Sequence, residues 1–227
     1  MKCTRRSINT SPIVYKYSFT FDISLCKLRD PFTAVVAGPT LCGKTAWFLK
    51  LVRNASHMIY PSPLRIYYCY KEYQSIFDDY YSVIFCEGLP EMTDDVFDGK
   101  QPTLSIIDDL MSKTNQLVAD IFTKISHHGN ISVIYMTQNV FDKNKFARNI
   151  SLNAYYLVLF KNHRDANQFA MLSRQMYPDS WRFAVQAYRD ATSSPFSYLL
   201  ENLRLDLKDE QCRLWTNIFR VKIDMFT

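Results

Sequence analysis

The sequence lacks any apolar run long enough to span a membrane. No segment of the 227 residues approaches the roughly 18 consecutive apolar residues that a membrane-spanning helix requires. The polar residues 1–7 precede no hydrophobic segment of the kind that a secretory signal needs, so we expect a soluble intracellular protein without a membrane contact. Because hydrophobic residues make up 48% of the chain and aromatic residues 15%, the composition excludes a disordered chain and predicts one main domain with a substantial core.

The sequence also lacks the cysteine spacing of metal-binding proteins. Its six cysteines form neither a Cys-x-x-Cys pair nor a Cys/His cluster. Reduced thiols are the simplest interpretation, and we expect no structural zinc. No internal repeat or low-complexity tract is present. The net charge of +5 permits an anionic partner but does not by itself indicate DNA.

Strands and helices alternate along most of the chain. Short apolar runs, typical of buried strands, lie at residues 32–37, 65–70, 83–86, 104–107, 131–137 and 155–160. Apolar residues recur at helical spacing between several of these runs, at residues 46–54, 117–125 and 166–172. This alternation predicts an α/β fold with a mainly parallel central sheet.

The two ends of the chain follow different patterns. Apolar and aromatic side chains occupy every second position of residues 15–25, which predicts an extra N-terminal strand or hairpin. Beyond Leu203 the sequence becomes charged and then mixed, which suggests a small C-terminal appendage. The predicted organisation is an N-terminal extension at residues 1–30, a core at residues 31–203 and the appendage at residues 204–227.

A glycine-rich pattern lies between the first core strand and the helix that follows it. Residues 38–45 read Gly-Pro-Thr-Leu-Cys-Gly-Lys-Thr, which fits the phosphate-binding loop, or Walker A motif. The glycines let backbone N–H groups turn toward phosphates, Lys44 reaches the outer phosphates, and the Thr45 hydroxyl can bind Mg²⁺. The predicted nucleotide-binding residues are Gly38, Pro39, Thr40, Leu41, Cys42, Gly43, Lys44 and Thr45. A chance match in an ordinary strand-to-helix turn is the alternative, which the flanking strand and helix disfavour.

A second motif is an apolar strand that ends in two acidic residues. Residues 104–109 read Leu-Ser-Ile-Ile-Asp-Asp, the arrangement of a Walker B motif. Asp108 would hold Mg²⁺ together with Thr45, and Asp109 would activate the water that attacks the γ-phosphate. Taken alone, such a pair is more often a helix N-cap or a solvated turn. The phosphate loop upstream favours the catalytic interpretation.

The third element is the apolar strand at residues 131–137, which is followed by Gln138. In one class of these NTPases an additional strand lies between the two Walker strands, and a polar residue at its tip senses the γ-phosphate. We predict that role for Gln138, the alternative being a glutamine that only caps a strand end. No Asn-Lys-x-Asp segment that would select guanine is present, which disfavours a GTPase switch.

Several longer segments resemble a known family. They are Gly-Pro-Thr-x-x-Gly-Lys-Thr at residues 38–45, Ile-Ile-Asp-Asp at 106–109, and the runs at residues 127–139, 148–153, 159–165, 170–178 and 187–192. These segments look like the DNA-packaging ATPases of Polinton/Maverick elements and adintovirus-like viruses, relatives of the poxvirus packaging ATPase in the HerA/FtsK superfamily. The likeness covers about residues 30–203, and the run from Gln138 to Asp165 is more specific to the family than the Walker motifs are.

The resemblance implies a RecA-like P-loop core and a Mg²⁺-dependent ATPase that binds ATP. It also implies a ring-shaped homo-oligomer that moves double-stranded DNA into a capsid, with capsid proteins as partners, at virion assembly sites in the host nucleus or cytoplasm. Two residues depart from the pattern. Cys42 stands where relatives often carry a small serine, and Asp109 stands where cellular relatives carry glutamate, whose longer side chain reaches further toward the water.

A ring NTPase needs a positive charge supplied by a neighbouring subunit. We predict that Arg148, between the Gln138 strand and the next core strand, is this arginine finger. Arg164 and Arg174 are rival candidates, and a plain surface role remains open for each of them. The basic residues Lys143 and Lys145 could, together with Arg148, contact DNA phosphates instead or form a solvated turn.

Two other functions stay open on the sequence alone. One is a replication or segregation helicase of the same superfamily, which would separate strands rather than move an intact duplex. The other is a nucleotide-dependent assembly protein, which would bind ATP as a switch and hydrolyse it slowly whether or not DNA is present.

Overall fold

The computed structural model describes residues 16–19, 27–89, 100–108, 110, 116–125, 130–140, 145–164, 166–206, 213–219 and 223–226. The strands are β1 Lys16–Phe19, β2 Leu28–Arg29, β3 Thr33–Ala37, β4 Ile59–Tyr60, β5 Arg65–Tyr70, β6 Ile84–Glu87, β7 Thr103–Asp108, β8 Ile131–Thr137, β9 Tyr156–Phe160, β10 Tyr198–Asn202, β11 Leu214–Thr216 and β12 Ile223–Phe226.

The helices lie between these strands. They are α1 Lys44–Arg53, α2 Ala55–Met58, α3 Gln116–Asp120, which continues as a π-helical turn at Ile121–Ile125, α4 Lys145–Leu152, α5 Ala166–Met176 and α6 Trp181–Ala191. A short 3-10 helix spans Ser75–Asp79. Within the described residues, no helix is long and apolar enough to cross a membrane.

One large sheet organises the described part of the chain. Its strand order is β1-β12-β11-β10-β9-β3-β8-β7-β5-β6. The strands from β9 to β6 pair in parallel, whereas β10, β11, β12 and β1 add antiparallel pairs at one side. The predicted α/β fold with a mainly parallel central sheet is therefore confirmed. The predicted additional strand is β8, which lies between β3 and β7.

The core strands are apolar along their whole length because both faces of the sheet are covered. Side chains alternate along β3, so that Ala34 and Val36 join one core cluster, with α1, and Val35 and Ala37 join the other, with α3 and α6. A strand that is buried on both faces reads as a continuous apolar run. For this reason the apolar runs at residues 32–37 and 131–137 predict strands.

Strands from the N-terminal and C-terminal parts of the chain pair at the antiparallel side of the sheet. β1, in the predicted N-terminal strand, pairs with β12, and β11 pairs with β10. The predicted C-terminal appendage thus takes the form of strands that extend the main sheet, and its residues Trp215 and Ile218 pack in the same cluster as α1. The division of the chain at residues 30 and 203 stays a prediction.

Strand β10 carries a buried carboxyl group, Glu201, which is fully inaccessible. The Tyr177 hydroxyl donates a hydrogen bond to Glu201 Oε1, whereas Oε2 has no hydrogen-bond partner among the described residues. Burial raises the pKa of Glu201 to about 7, against the opposing effects of Tyr177 and Arg213. The folded protein therefore holds a proton on Glu201 that an unfolded chain releases at lower pH.

This proton makes folding stability depend on pH. Since the pKa of Glu201 is higher in the folded chain, its contribution to stability is complete below the unfolded pKa of about 4.3 and is lost as pH rises through about 7. We expect Glu201→Gln to flatten this dependence. The substitution changes the free energy of unfolding at each pH, and this change should be more stabilising at about pH 8 than at about pH 5 by roughly 2 kcal/mol.

Denaturant unfolding of both proteins at several pH values checks this prediction. Glu87→Gln, at an exposed position of β6, is the matched control and should leave the pH dependence unchanged. Parallel pH profiles for Glu201→Gln and the wild-type chain would contradict the assignment.

Candidate functional site

The phosphate loop leaves the carboxyl end of the central strand β3. A Cβ atom at Gly38 would lie only 2.6 Å from Cys42 Sγ and 2.6 Å from Phe160 Cβ, so no larger residue fits there without displacement. Gly43 has a φ of 107° and caps the N-terminus of α1, a backbone conformation that L-residues with side chains rarely adopt. The structure thus requires glycine at both glycine positions of the motif.

The loop is held in a curved shape by its own lysine. Lys44 Nζ donates hydrogen bonds to the carbonyl oxygens of Gly38 at 2.6 Å and Pro39 at 3.1 Å. Helix α1 begins at Lys44 with no side-chain cap and no acidic residue in its first turn. Its first N–H groups and the positive end of its dipole therefore favour an anion at the loop.

Cys42 lies half-buried inside this loop. Burial raises the pKa of its thiol above the usual range, although Lys44 opposes the shift. The side chain is therefore a neutral thiol that packs against Gly38. The cysteine acts in the loop as a small, uncharged residue.

A cleft of about 570 Å³ opens beside the loop and brings several predicted residues together. Its walls are formed by Thr40, Leu41, Gly43, Lys44, Thr45, Ala46, Tyr70, Lys71, Glu72, Gln74, Asp108 and Gln138. Asp108 is the last residue of β7, and Gln138 directly follows β8. The carboxyl ends of three neighbouring parallel strands thus meet at one cleft, as expected for ligand sites of such sheets.

Thr45 and Asp108 share a partner that the motifs do not predict. The Tyr68 hydroxyl donates a hydrogen bond to Asp108 Oδ2 at 2.5 Å and is also hydrogen-bonded to the Thr45 side chain. Burial, and then the charge of Asp108, raise the pKa of Tyr68 above its usual range, so the hydroxyl keeps its proton and remains a donor. Tyr68 lies on β5, which pairs with β7.

The oxygen atoms of Thr45 and Asp108 suit a small divalent cation. Both side chains contact the same hydroxyl group of Tyr68, so their oxygen atoms lie close together. A hydroxyl and a carboxylate are hard oxygen ligands, of the kind that Mg²⁺ prefers in combination with phosphate oxygens. The pair therefore fits the predicted metal site.

The remaining predicted residues lie elsewhere or outside the described ranges. Asp109 and Lys143 fall outside the described residues. Arg148 is exposed on α4 and lines a separate pocket with Leu152, Gln175 and other residues, none of which belongs to the phosphate loop. The rival Arg174 places its guanidinium 4.3 Å from the ring centre of Trp181. Arg148 thus does not line the cleft of its own chain.

Comparison with known proteins gives structural likenesses only. No family model matches the chain, and no curated protein matches its sequence. The solved structures that are similar include the genome packaging NTPase B204 from Sulfolobus turreted icosahedral virus 2. In complex with AMPPCP it has 13% identity and a TM-score of 0.49, and the match covers 76% of this chain and 93% of that one.

The same NTPase in complex with ATP-gammaS gives 12% identity, a TM-score of 0.48 and coverage of 78% and 94%. The flagellar accessory protein FlaH from Methanocaldococcus jannaschii gives 11% identity, a TM-score of 0.39 and coverage of 57% and 70%. At these values the likenesses assign no activity to this chain.

Proposed function

We propose that this protein is a Mg²⁺-dependent ATPase that drives double-stranded DNA into a capsid. The observation that carries the nucleotidase part is the convergence of the phosphate loop, Thr45, Asp108 and Gln138 on one cleft. The loop, Asp108 and Gln138 lie at the carboxyl ends of three parallel strands that are separated along the sequence, and Thr45 lies in the first turn of α1. Because these residues meet at one edge of the sheet, a nucleotide-binding site explains the loop pattern better than a chance match does.

Each residue has a defined task in this proposal. The loop N–H groups and Lys44 bind the phosphates, and Thr45 and Asp108 would hold Mg²⁺. The cation, when bound, neutralises charge that develops on the phosphate oxygens. Gln138, at the tip of β8, contacts the terminal phosphate or orients the attacking water. Asp109, the next residue after β7, accepts the proton of that water.

The DNA-packaging part of the proposal rests on the sequence resemblance. The run from Gln138 to Asp165 includes helix α4 and strand β9, and its first residue, Gln138, lines the cleft of the proposed nucleotide site. A ring of identical subunits, each contributing an arginine to its neighbour, is the arrangement that this resemblance implies. Capsid proteins are the expected partners of such a ring.

ATP hydrolysis with and without linear double-stranded DNA tests the proposal. We expect the duplex to stimulate turnover. Lys44→Ala, which removes the phosphate contact, and Asp109→Asn, which removes the proton acceptor, should each lower kcat at least about 100-fold. Lys50→Ala, at an exposed position of the same helix, is the matched control and should hydrolyse ATP normally.

The same assay separates the alternatives. Slow hydrolysis that DNA does not change would favour the assembly switch, and ATP-dependent separation of the two DNA strands would favour a helicase. Stimulation that persists in Lys44→Ala would contradict the site itself.

Mixed rings test the role of Arg148. We expect Arg148→Ala alone to lose about 10³-fold or more in kcat, because each site lacks the charge that its neighbour supplies. A mixture of Arg148→Ala and Lys44→Ala subunits should regain part of the activity, since an intact arginine can then face an intact phosphate loop. Arg174→Ala is the control, because its guanidinium already stacks on Trp181. Full activity of Arg148→Ala rings would exclude this assignment.

A further inference from the structure

A second pocket lies on the other side of the phosphate loop. It has a volume of about 370 Å³ and is lined by residues 39–42 of the loop, by Phe160, Lys161 and His163 after β9, and by the turn at residues 192–197. Thr40 and Leu41 line both this pocket and the cleft that contains Asp108. The two spaces are therefore adjacent along the loop.

The cleft fixes which end of a nucleotide lies in the second pocket. Asp108 and Gln138 line the cleft toward β7 and β8, and the proposed function assigns Asp108 to Mg²⁺ and Gln138 to the terminal phosphate. The sugar and the base must then leave the loop on its opposite side, toward β9 and β10. The pocket at residues 192–197 lies on that side, since this turn leads directly into β10.

An aromatic side chain is held at this pocket in an unusual way. Phe196 is 71% exposed, although burial of its ring would be favourable. Its φ of 60° lies in the left-handed region, which is uncommon for bulky residues and often marks a functional site. A Cβ atom at Gly43 would meet Phe196 Cβ at 3.3 Å, so the residue lies directly against the phosphate loop.

The turn that carries Phe196 is tied to its own backbone. Three hydroxyl groups donate to carbonyl oxygens: Thr192 Oγ1 to Tyr188 at 2.7 Å, Ser193 Oγ to Asp190 at 2.8 Å, and Ser197 Oγ to Ser194 at 2.5 Å. Such short-range bonds fix the shape of a turn. The Phe196 ring is therefore presented to the pocket by a backbone that is already ordered.

We propose that this pocket is the nucleobase subsite and that Phe196 binds the base by stacking on its flat face. This inference rests on the proposed ATPase function and names the part of the site that holds the non-phosphate end of the ligand. Leu41, which is 90% exposed and also lines the pocket, provides a second apolar contact. Stacking of a base on an aromatic ring contributes enough to be measured when the ring is replaced by alanine.

Binding of two ligands that share only the phosphates tests this proposal. We expect Phe196→Ala to weaken ATP binding about tenfold or more and to leave the affinity for inorganic tripolyphosphate unchanged, as measured by calorimetry on the full chain. Phe196→Tyr keeps the ring and should bind ATP like the wild-type chain. Tyr81→Ala, which removes a 97% exposed aromatic side chain outside both pockets, is the matched control.

The possible results are distinguishable. Unchanged ATP affinity in Phe196→Ala would overturn the subsite. Equal losses for ATP and tripolyphosphate would also overturn it, because Phe196 would then act by supporting Gly43 and the loop. If the wild-type chain bound neither ligand, the ATPase proposal itself would fail, and the base subsite with it.

A second inference comes from an independent observation, the placement of Tyr68. Its hydroxyl contacts both Thr45 and Asp108, yet it belongs to neither motif. The ring is fully buried and packs against Phe48, Phe77 and Phe85, with ring centres 4.6, 5.0 and 5.7 Å away. Because these contacts fix the ring, the hydroxyl is held in one place between the two oxygen ligands.

We infer that Tyr68 is a positioning residue for the Mg²⁺ ligands. Its hydroxyl donates to Asp108 Oδ2 and is hydrogen-bonded to the Thr45 side chain, so it fixes the orientation of the two side chains that would hold the cation. Hydrogen bonds from such outer partners typically change metal affinity by about 10- to 100-fold when they are removed. This inference also rests on the proposed function, and its test is a binding measurement rather than ATP turnover.

The ratio of ADP affinities with and without Mg²⁺ tests this role. We expect Tyr68→Phe, which keeps the ring and its packing, to fold with nearly unchanged stability and to bind ADP normally in the presence of a chelator. The Mg²⁺ concentration that gives half of the metal-dependent gain in affinity should rise about tenfold or more. Tyr67→Phe is the control, since Tyr67 is the neighbouring residue and points to the other face of β5.

The positioning role would be overturned if Tyr68→Phe reached half of the metal-dependent gain in ADP affinity at the same Mg²⁺ concentration as the wild-type chain, or at a lower one. Equal losses of ADP affinity with and without Mg²⁺ would overturn it as well, because they would show that the hydroxyl supports the loop as a whole.

Discussion

The parallel pairing of β3 with both β8 and β9 is the constraint on which the site depends. The registers align Ala37 with Thr137 and with Leu159, and Gly38 N–H donates to the Thr137 carbonyl at 3.2 Å. Asp108 pairs with Met136 on the next strand. A shift of one residue in any of these registers would turn buried side chains to the opposite face of the sheet. The phosphate loop, Gln138 and Asp108 therefore reach one cleft because these registers align the carboxyl ends of β3, β8 and β7.

The features that could be predicted from the sequence are those encoded locally. The predicted strands at residues 65–70 and 131–137 coincide with β5 and β8, because burial on both faces makes each a continuous apolar run. The glycines of the phosphate loop could be predicted because the backbone conformations that require glycine are set within the loop itself. In contrast, the pairing of β1 with β12 joins residues about two hundred positions apart, and no local pattern specifies such a partner. The extension of the main sheet by the C-terminal strands was therefore not predictable.

Tyr68 and Phe196 show why some candidate functional residues escape sequence reasoning. In β5, two-residue alternation places Ile66 and Tyr68 on one face, but the pattern does not say which strand neighbours that face or which loop overlies it. That information arises only when β5 pairs with β7 and α1 covers the sheet. Phe196 lies in a Ser- and Pro-containing turn, where an aromatic residue has no periodic signal. Phe196 becomes a candidate binding residue only because the folded chain places it against Gly43.

Helix α1 physically connects the two proposed ends of the nucleotide site. Its Phe48 packs against Tyr68 at 4.6 Å between ring centres, and the adjacent Trp47 packs against Tyr198 at 6.2 Å. Tyr198 begins β10, directly after the turn that presents Phe196. Because protein interiors are densely packed, these contacts fix Tyr68 and Tyr198 against two adjacent residues of α1. Tyr68, which is proposed to position the metal ligands, and Tyr198, which follows the turn proposed to contact the base, thus pack against neighbouring residues of the same helix.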